Sequence, residues 1–124
     1  MTPDSTRAKG TRGEDLARNF LKRLGYEVIA SNWRSKAGEI DLIMQDDDCL
    51  VFVEVKARKG EYAGRAGEAL GRTQSRRILN AAEWFVQEHP EFEALSWRCD
   101  LVAITLDRDG KPSFDHFVNA IVTG

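Results

Sequence analysis

The sequence predicts an α/β fold, in which helices flank a mixed β-sheet and the elements follow the order α-β-β-β-α-β-β. Two segments carry apolar residues at helical spacing, while several shorter runs rich in apolar and β-branched residues are bounded by turn signals. The second helical segment is also long enough to cross over between two strands of one sheet. Some strands are therefore expected to pair in parallel.

Length and composition indicate one domain over residues 13–124. The chain has 124 residues, of which 42% are hydrophobic, and this is enough to fill a core. Residues 1–12 are polar and lack periodicity, so we predict a disordered tail there. No apolar stretch approaches the roughly 20 residues that span a bilayer, and we expect a cytoplasmic protein with no membrane partner. Cys49 and Cys99 lie in predicted strands, as reduced core side chains do.

The first helix is predicted over Gly13–Leu24, and Gly25 is the residue type most common just after a helix end. Its apolar residues recur three and four positions apart: Leu16, Ala17, Phe20, Leu21 and Leu24. A short strand is predicted over Tyr26–Ala30. An irregular link over Ser31–Ala37 then leads to the next strand.

A β-hairpin is predicted over residues 38–57, with its turn at Asp47-Asp48. A two-residue loop there pairs position 46 with 49 and sets Asp41 opposite Glu54, with side chains about 4.5–5.5 Å apart. Because side chains alternate along a strand, Lys56 shares the face of Glu54. A three-residue loop with a bulge is the alternative, and without the bulge it would put the two acids on opposite faces.

The second half of the chain is predicted to contain a loop, a helix and two strands. Ala57–Arg72 combines several glycines with basic residues, which favours a mobile basic loop. Thr73–His89 resumes a helical pattern, and Pro90 follows its end. Two strands joined by a turn signal at residues 107–110 complete the sheet: Arg98–Leu106 and Pro112–Val118.

Charge is distributed unevenly along the chain, although the net charge is only −2. Residues 1–36 hold eight basic and four acidic residues, and residues 56–77 hold seven basic and two acidic residues. The segment 37–55 between them has six acids and no base. This pattern suits an enzyme that attracts a polyanion at its rim and holds a metal at its centre, or else ordinary solvated faces.

Asp41, Glu54 and Lys56 are unusual residues for strands that are otherwise apolar. Desolvating an unpaired charge costs several kcal/mol, so two neighbouring carboxylates need a compensating partner. A divalent cation fits best, because hard divalent ions are bound by carboxylate oxygens. The alternative is a cross-strand ion-pair network on a half-exposed sheet face, which leaves the second carboxylate under-neutralised.

An Asp followed on the neighbouring strand by Glu-x-Lys is similar to the arrangement in metal-dependent nucleases of the restriction-endonuclease-like superfamily. From Gly13 to Ile104 the sequence further resembles the YraN-like family of bacterial proteins, which are expected to be endonucleases and distant kin of archaeal Holliday junction resolvases. The residues that carry this resemblance are Gly13-Glu14, Asn32-Trp33-Arg34, Gly38–Ile43, Val51–Arg58 and Arg98–Val102.

The resemblance implies a restriction-endonuclease-like mixed sheet, a Mg²⁺ or Mn²⁺ cofactor and hydrolysis of DNA, branched or structured DNA included. Asp41 and Glu54 would bind the ion together with the Val55 carbonyl, while Lys56 would hold the attacking water or help to deprotonate it. Glu14 corresponds to a first-helix acid that faces the metal site; otherwise it is an acid favoured by the helix dipole. Resolvase-like relatives act as dimers, so a homodimer is also implied.

Nucleic-acid contacts are expected outside the hairpin. Gln74 stands where relatives often have a lysine, and a glutamine can still position a water or a phosphate. Five arginines are either phosphate contacts or ordinary surface charge: Arg34, Arg58, Arg65, Arg76 and Arg77. The rival to an enzyme is a nucleic-acid-binding module with the same fold and little or no catalytic activity. A protein-interacting adaptor is the third alternative.

Asp100 follows Arg98 at the start of a predicted strand. We interpret it as the partner of that arginine in a structural ion pair at the end of the sheet. His89 and His116 have no sequence partner that indicates a metal site or a general base.

Overall fold

A computed structural model of the chain describes residues 5–59 and 71–122. It contains a five-stranded sheet in the order β1-β2-β3-β4-β5, in which β3 and β4 are parallel and the other neighbours are antiparallel. The class and the order of elements confirm the prediction. The bounds are α1 Ser5–Arg23, β1 Glu27–Ser35, β2 Gly38–Asp46, β3 Cys49–Lys59, α2 Arg72–Glu88, a 3₁₀ turn Pro90–Phe92, β4 Ser96–Leu106 and β5 Pro112–Phe117.

The register of the β2–β3 hairpin is the one that a two-residue turn dictates. Asp46 pairs with Cys49, and the ladder continues to Leu42 and Val53 without a shift. Asp47 takes a left-handed backbone conformation with φ of 53°, which an aspartate tolerates better than most residues do. The three-residue loop that would have separated the acids is therefore excluded.

The two helices cover opposite faces of the sheet. Along β3, Phe52 packs into one core with α2, while Val51 and Val53 pack into the other core with α1. Because β3 lies at the centre of the sheet and is covered on both faces, its sequence reads as a continuous apolar run instead of an alternating one. The charged end of β3 departs from this pattern.

Gly38 fixes how closely α2 approaches the start of β2. A Cβ at this position would lie 3.4 Å from the Arg77 carbonyl oxygen, and the glycine has φ of +144°. Both the close contact and the backbone angle favour glycine. The first turns of α2 are thereby held against the charged end of the hairpin.

Two predicted bounds before the hairpin were wrong. Helix α1 begins at Ser5 instead of Gly13. The prediction depended on the apolar residues from Leu16 to Leu24, and the helix extends towards the N-terminus beyond them. Strand β1 continues to Ser35, so the predicted irregular link is a strand. Asn32, at φ of 53°, and a register shift between Val28 and Ala30 distort the strand and hide its alternation in the sequence.

The first residues of the predicted basic loop, 57–59, belong to a strand instead. Strand β3 runs to Lys59, because its backbone continues to pair in parallel with β4 up to Leu106. Residues 60–70, which include Arg65, lie outside the described residues. Among the residues that the structure describes, no helix is long and apolar enough to cross a membrane.

A buried polar network ties β4 to the C-terminal segment. Asp100 is 0% exposed and accepts hydrogen bonds from Arg98 Nε at 3.0 Å and from the Asn119 N–H at 2.8 Å. His116 Nε2 lies 2.8 Å from the other Asp100 oxygen. The predicted ion pair with Arg98 is confirmed, and His116 is a partner that the prediction missed. Desolvation acts to raise the pKa of Asp100, but the three hydrogen-bond donors together lower it.

Replacing Asp100 by Asn is expected to destabilise the protein by about 2–4 kcal/mol at pH 7, because the change leaves Arg98 without its buried countercharge. The native pKa of Asp100 is depressed, so the stability that it contributes is present above 3.8 and is lost as the pH falls below that value. Urea unfolding at several pH values measures both effects. The exposed Asp109→Asn change is the control, and equal stability of the two variants would contradict this account.

Candidate active site

Asp41 and Glu54 meet where strands β2 and β3 part. The ladder between these strands ends at Leu42 and Val53, although the same register would continue to Ile40 and Val55. In place of a strand partner, the Asp41 carboxylate accepts the Val55 N–H at 2.8 Å. The structure therefore brings the two acids together, with Asp41 seated across the opening between the strands.

Glu54 is held by donors from two elements. Its Oε1 atom accepts a hydrogen bond from Gln74 Nε2 of α2 at 3.1 Å. Lys56 Nζ lies 3.8 Å from the same oxygen, which makes a loose ion pair. The side chains of Glu54 and Lys56 are 13% and 28% exposed, so the cluster lies at the rim of the core and is still reachable from solvent.

The electrostatics of the pair favour a bound proton or cation. Burial raises the pKa of Glu54, and the nearby Asp41 charge raises it further, to about 8. Burial likewise raises the pKa of Asp41, against the lowering effect of the Val55 N–H. The two carboxyl groups lie close enough for each to shift the pKa of the other. At neutral pH a proton is thus shared between them when no cation compensates their charge.

Glu14 lies on α1, on the other side of the pair. Burial raises its pKa to about 7, and the charge of Asp41 is the second cause. The helix start is close to β3, since a Cβ on Gly13 would lie 3.6 Å from the Ala57 Cβ. The charge of Asp41 therefore influences Glu14 from across the site.

An open cleft of about 650 Å³ leads to the two carboxylates. Its acidic wall comes from the hairpin, and its other wall comes from the first turns of α2, which carry Gln74 and Arg77. A volume in this range accommodates a small ligand or part of a larger one. The lining residues are Gly38, Glu39, Asp41, Glu54, Gly71, Thr73, Gln74, Arg77 and Ile78.

The arginines that were predicted to contact nucleic acid differ in their position relative to the cleft. Arg77 lines the cleft, whereas Arg76 is exposed on the same helix and does not line it. Arg34 is exposed and lies 3.6 Å from Glu39 in an ion pair. The side chain of Arg58 and all of Arg65 lie outside what the structure describes.

The oxygen donors at this site suit a hard divalent ion that takes only a few of its ligands from the protein. In the described part of the chain, no group of three or more His, Cys, Asp or Glu side chains is arranged to hold a metal. Two carboxylates and a main-chain oxygen remain. The Val55 N–H points towards Asp41, and in an extended strand the carbonyl of the same residue points to the same side. Oxygen donors of this kind suit Mg²⁺, which keeps several waters in protein sites, and Mn²⁺.

Two contacts of the candidate site were not predicted. Gln74 was expected to contact nucleic acid or water, yet it donates to Glu54. The Val55 N–H was not expected to bind Asp41. Neither contact has a signal in the sequence, because the first depends on how α2 crosses the sheet and the second on where the strands part.

The sequence matches between this chain and known proteins cover all residues of the candidate site. The model of the uncharacterised protein family UPF0102 matches residues 13–104. A UPF0102 protein from Roseiflexus castenholzii is 40% identical over 122 residues, covering 98% of each chain. One from Rhodococcus opacus is 42% identical and covers 91% of this chain and 95% of its own. One from Pseudomonas aeruginosa is 36% identical, with 94% of each chain covered.

The shared proton predicts an unusual pH dependence for the metal-free protein. Because the native pKa of Glu54 is raised from 4.5 to about 8, the native state binds more protons than the unfolded chain between these values. Stability should therefore fall as the pH rises from about 5 to 8, by on the order of 2–4 kcal/mol. Glu54→Gln should flatten this dependence in chelator-treated protein, as measured by urea unfolding.

Glu83→Gln, on the exposed side of α2, is the matched control for this titration. It should unfold with the pH profile of the wild type. A wild-type stability that rises or stays level between pH 5 and 8 would be inconsistent with a shared proton.

Proposed function

The chain belongs to the UPF0102 family, and from that premise we propose that it is a Mg²⁺- or Mn²⁺-dependent endonuclease that hydrolyses phosphodiester bonds in DNA. The observation that carries the proposal is the meeting of Asp41 and Glu54 beside Lys56 at the head of an open cleft. The mixed sheet, with its acids at the parting of two central strands, supports a restriction-endonuclease-like arrangement.

The metal ligands in this proposal are the carboxylates of Asp41 and Glu54 and the carbonyl of Val55. A divalent ion bound there supplies a water of lowered pKa and neutralises charge on the scissile phosphate. The two carboxylates provide an anionic, partly desolvated position, where a cation is attracted more strongly than it would be in water. A proton occupies the same carboxylate pair when the cation is removed.

Lys56 is the catalytic amine of the proposal. Its ammonium group lies beside Glu54 at the solvent side of the cluster, where it can orient the attacking water or stabilise negative charge on the phosphate. Glu14, at its raised pKa of about 7, is suited to exchange a proton near neutral pH and assists from the α1 side.

DNA is the expected polymer, and Arg77 is its best-placed contact. Arg77 lines the same cleft as the two acids, so its guanidinium can bind a phosphate while the neighbouring phosphodiester faces the carboxylates. Branched or structured DNA and a homodimeric enzyme are proposals that depend on the resemblance to resolvases. A binding module without catalysis is the rival, and the next experiment separates the two.

Asp41→Asn is expected to weaken Mn²⁺ binding at least tenfold and to lower the DNA cleavage rate about 100-fold or more, because it removes the charge of one of the two carboxylate ligands. The Asn amide oxygen can still accept the Val55 N–H, so the change keeps the local backbone contact. Calorimetry with Mn²⁺ and cleavage of labelled junction, flap, single-stranded and duplex DNA measure the two effects. Asp115→Asn, an exposed change on β5, should leave both unchanged. Metal-dependent cleavage that survives in Asp41→Asn would overturn the proposal, while DNA binding without any Mn²⁺ binding would favour the rival.

Arg77→Ala is expected to weaken DNA binding and to reduce the slope of log affinity against log salt by about 1, as the loss of one phosphate contact does. Fluorescence anisotropy at several salt concentrations gives this slope. Arg23→Ala removes the same charge from the last turn of α1, and its slope should match the wild type. A slope that changes equally in both variants would show that Arg77 contributes only to net charge.

A further inference from the structure

We propose that Gln74 is a positioning residue that orients the metal ligand Glu54, so that one carboxylate oxygen is held by the protein and the other is presented to the cation. This inference deepens the proposed function and depends on it. It differs from the expectation that Gln74 contacts nucleic acid.

The contact joins two elements that are otherwise separate in the site. Gln74 Nε2 on α2 donates to Glu54 Oε1 on β3 at 3.1 Å. Lys56 Nζ approaches that same oxygen at 3.8 Å. Both donors converge on Oε1, and no described residue donates a hydrogen bond to the other Glu54 oxygen. That second oxygen can therefore face Asp41 and a shared ion.

The backbone that carries Gln74 is held firmly. The Ser75 N–H bonds the Gly71 carbonyl at 3.0 Å, which closes the first turn of α2. The same helix contacts β2 at Gly38, where a Cβ would lie 3.4 Å from the Arg77 carbonyl oxygen. The Gln74 side chain therefore starts from a fixed point relative to the hairpin, and this is the condition for orienting a ligand.

An amide is suited to this role because it donates a hydrogen bond without adding charge. A carboxylate oxygen can only accept, so the Gln74 NH₂ group must face Glu54 when that residue is ionised. A second charged donor, in addition to Lys56, would neutralise Glu54 further and compete with the cation. Partners of this kind, which bind a metal ligand but not the metal, typically contribute a factor of about 10–100 to metal affinity.

Two variants of Gln74 test the role directly. Gln74→Met keeps the length of the side chain but cannot donate, and Gln74→Asn keeps the amide but is too short to reach Glu54. Both should bind Mn²⁺ about 10–100-fold more weakly than the wild type in calorimetry. Gln87→Met makes the same chemical change at an exposed position of the same helix, and its Mn²⁺ affinity should stay within about twofold.

Affinity for DNA in the presence of chelator separates positioning from a phosphate contact. A positioning residue leaves metal-free DNA affinity unchanged in Gln74→Met, whereas a phosphate contact weakens it. In cleavage assays, the positioning role predicts that saturating Mn²⁺ restores most of the rate of Gln74→Met, because the defect is in ion binding.

The outcomes are distinct. Wild-type Mn²⁺ affinity in both Gln74 variants overturns the positioning role and leaves the proposed nuclease intact. Weaker metal-free DNA binding with unchanged Mn²⁺ affinity assigns Gln74 to the phosphate and also overturns it. A wild-type protein that binds no Mn²⁺ overturns the proposed function and this role with it.

Discussion

Two carboxylates held together in a largely desolvated position are the constraint on which the site depends. Asp41 and Glu54 repel each other when both are ionised, and burial removes the water that would screen them. A proton on the pair relieves this repulsion, and in the proposed function a divalent cation takes the place of that proton. The pKa of Glu54, which burial and the Asp41 charge raise to about 8, is the consequence of this repulsion for the uptake of a proton.

The rest of the fold serves to create this position without losing the core. Strand β3 is apolar and covered on both faces up to Val53, and its charged residues begin where β2 leaves it. Helix α1 brings Glu14 to one side, while α2 brings Gln74 and Arg77 to the other. Gly38 allows α2 to come close to the sheet, so that the side-chain amide of Gln74 reaches Glu54. The cleft is therefore a consequence of how α2 packs against a sheet whose strands diverge.

Local rules explain which features could be predicted from the sequence. The turn at Asp47 sets the register of the hairpin, and alternation from that turn places the acids on one face. Contacts between distant segments could not be predicted in the same way. The bond between Gln74 and Glu54 spans 20 residues, and the pairing of His116 with Asp100 spans 16. The continuation of β1 was missed because Asn32 interrupts its alternation.

In the proposed site, one cation replaces one proton in the carboxylate pair. This exchange is tested most directly by calorimetry of Mn²⁺ binding at pH 7 in two buffers that differ in ionisation enthalpy, because the difference in heat counts the protons released. We predict the release of about one proton for each Mn²⁺ bound, and a smaller release in Glu54→Gln. Mn²⁺ binding without proton release, or no Mn²⁺ binding at all, would contradict this account of the site.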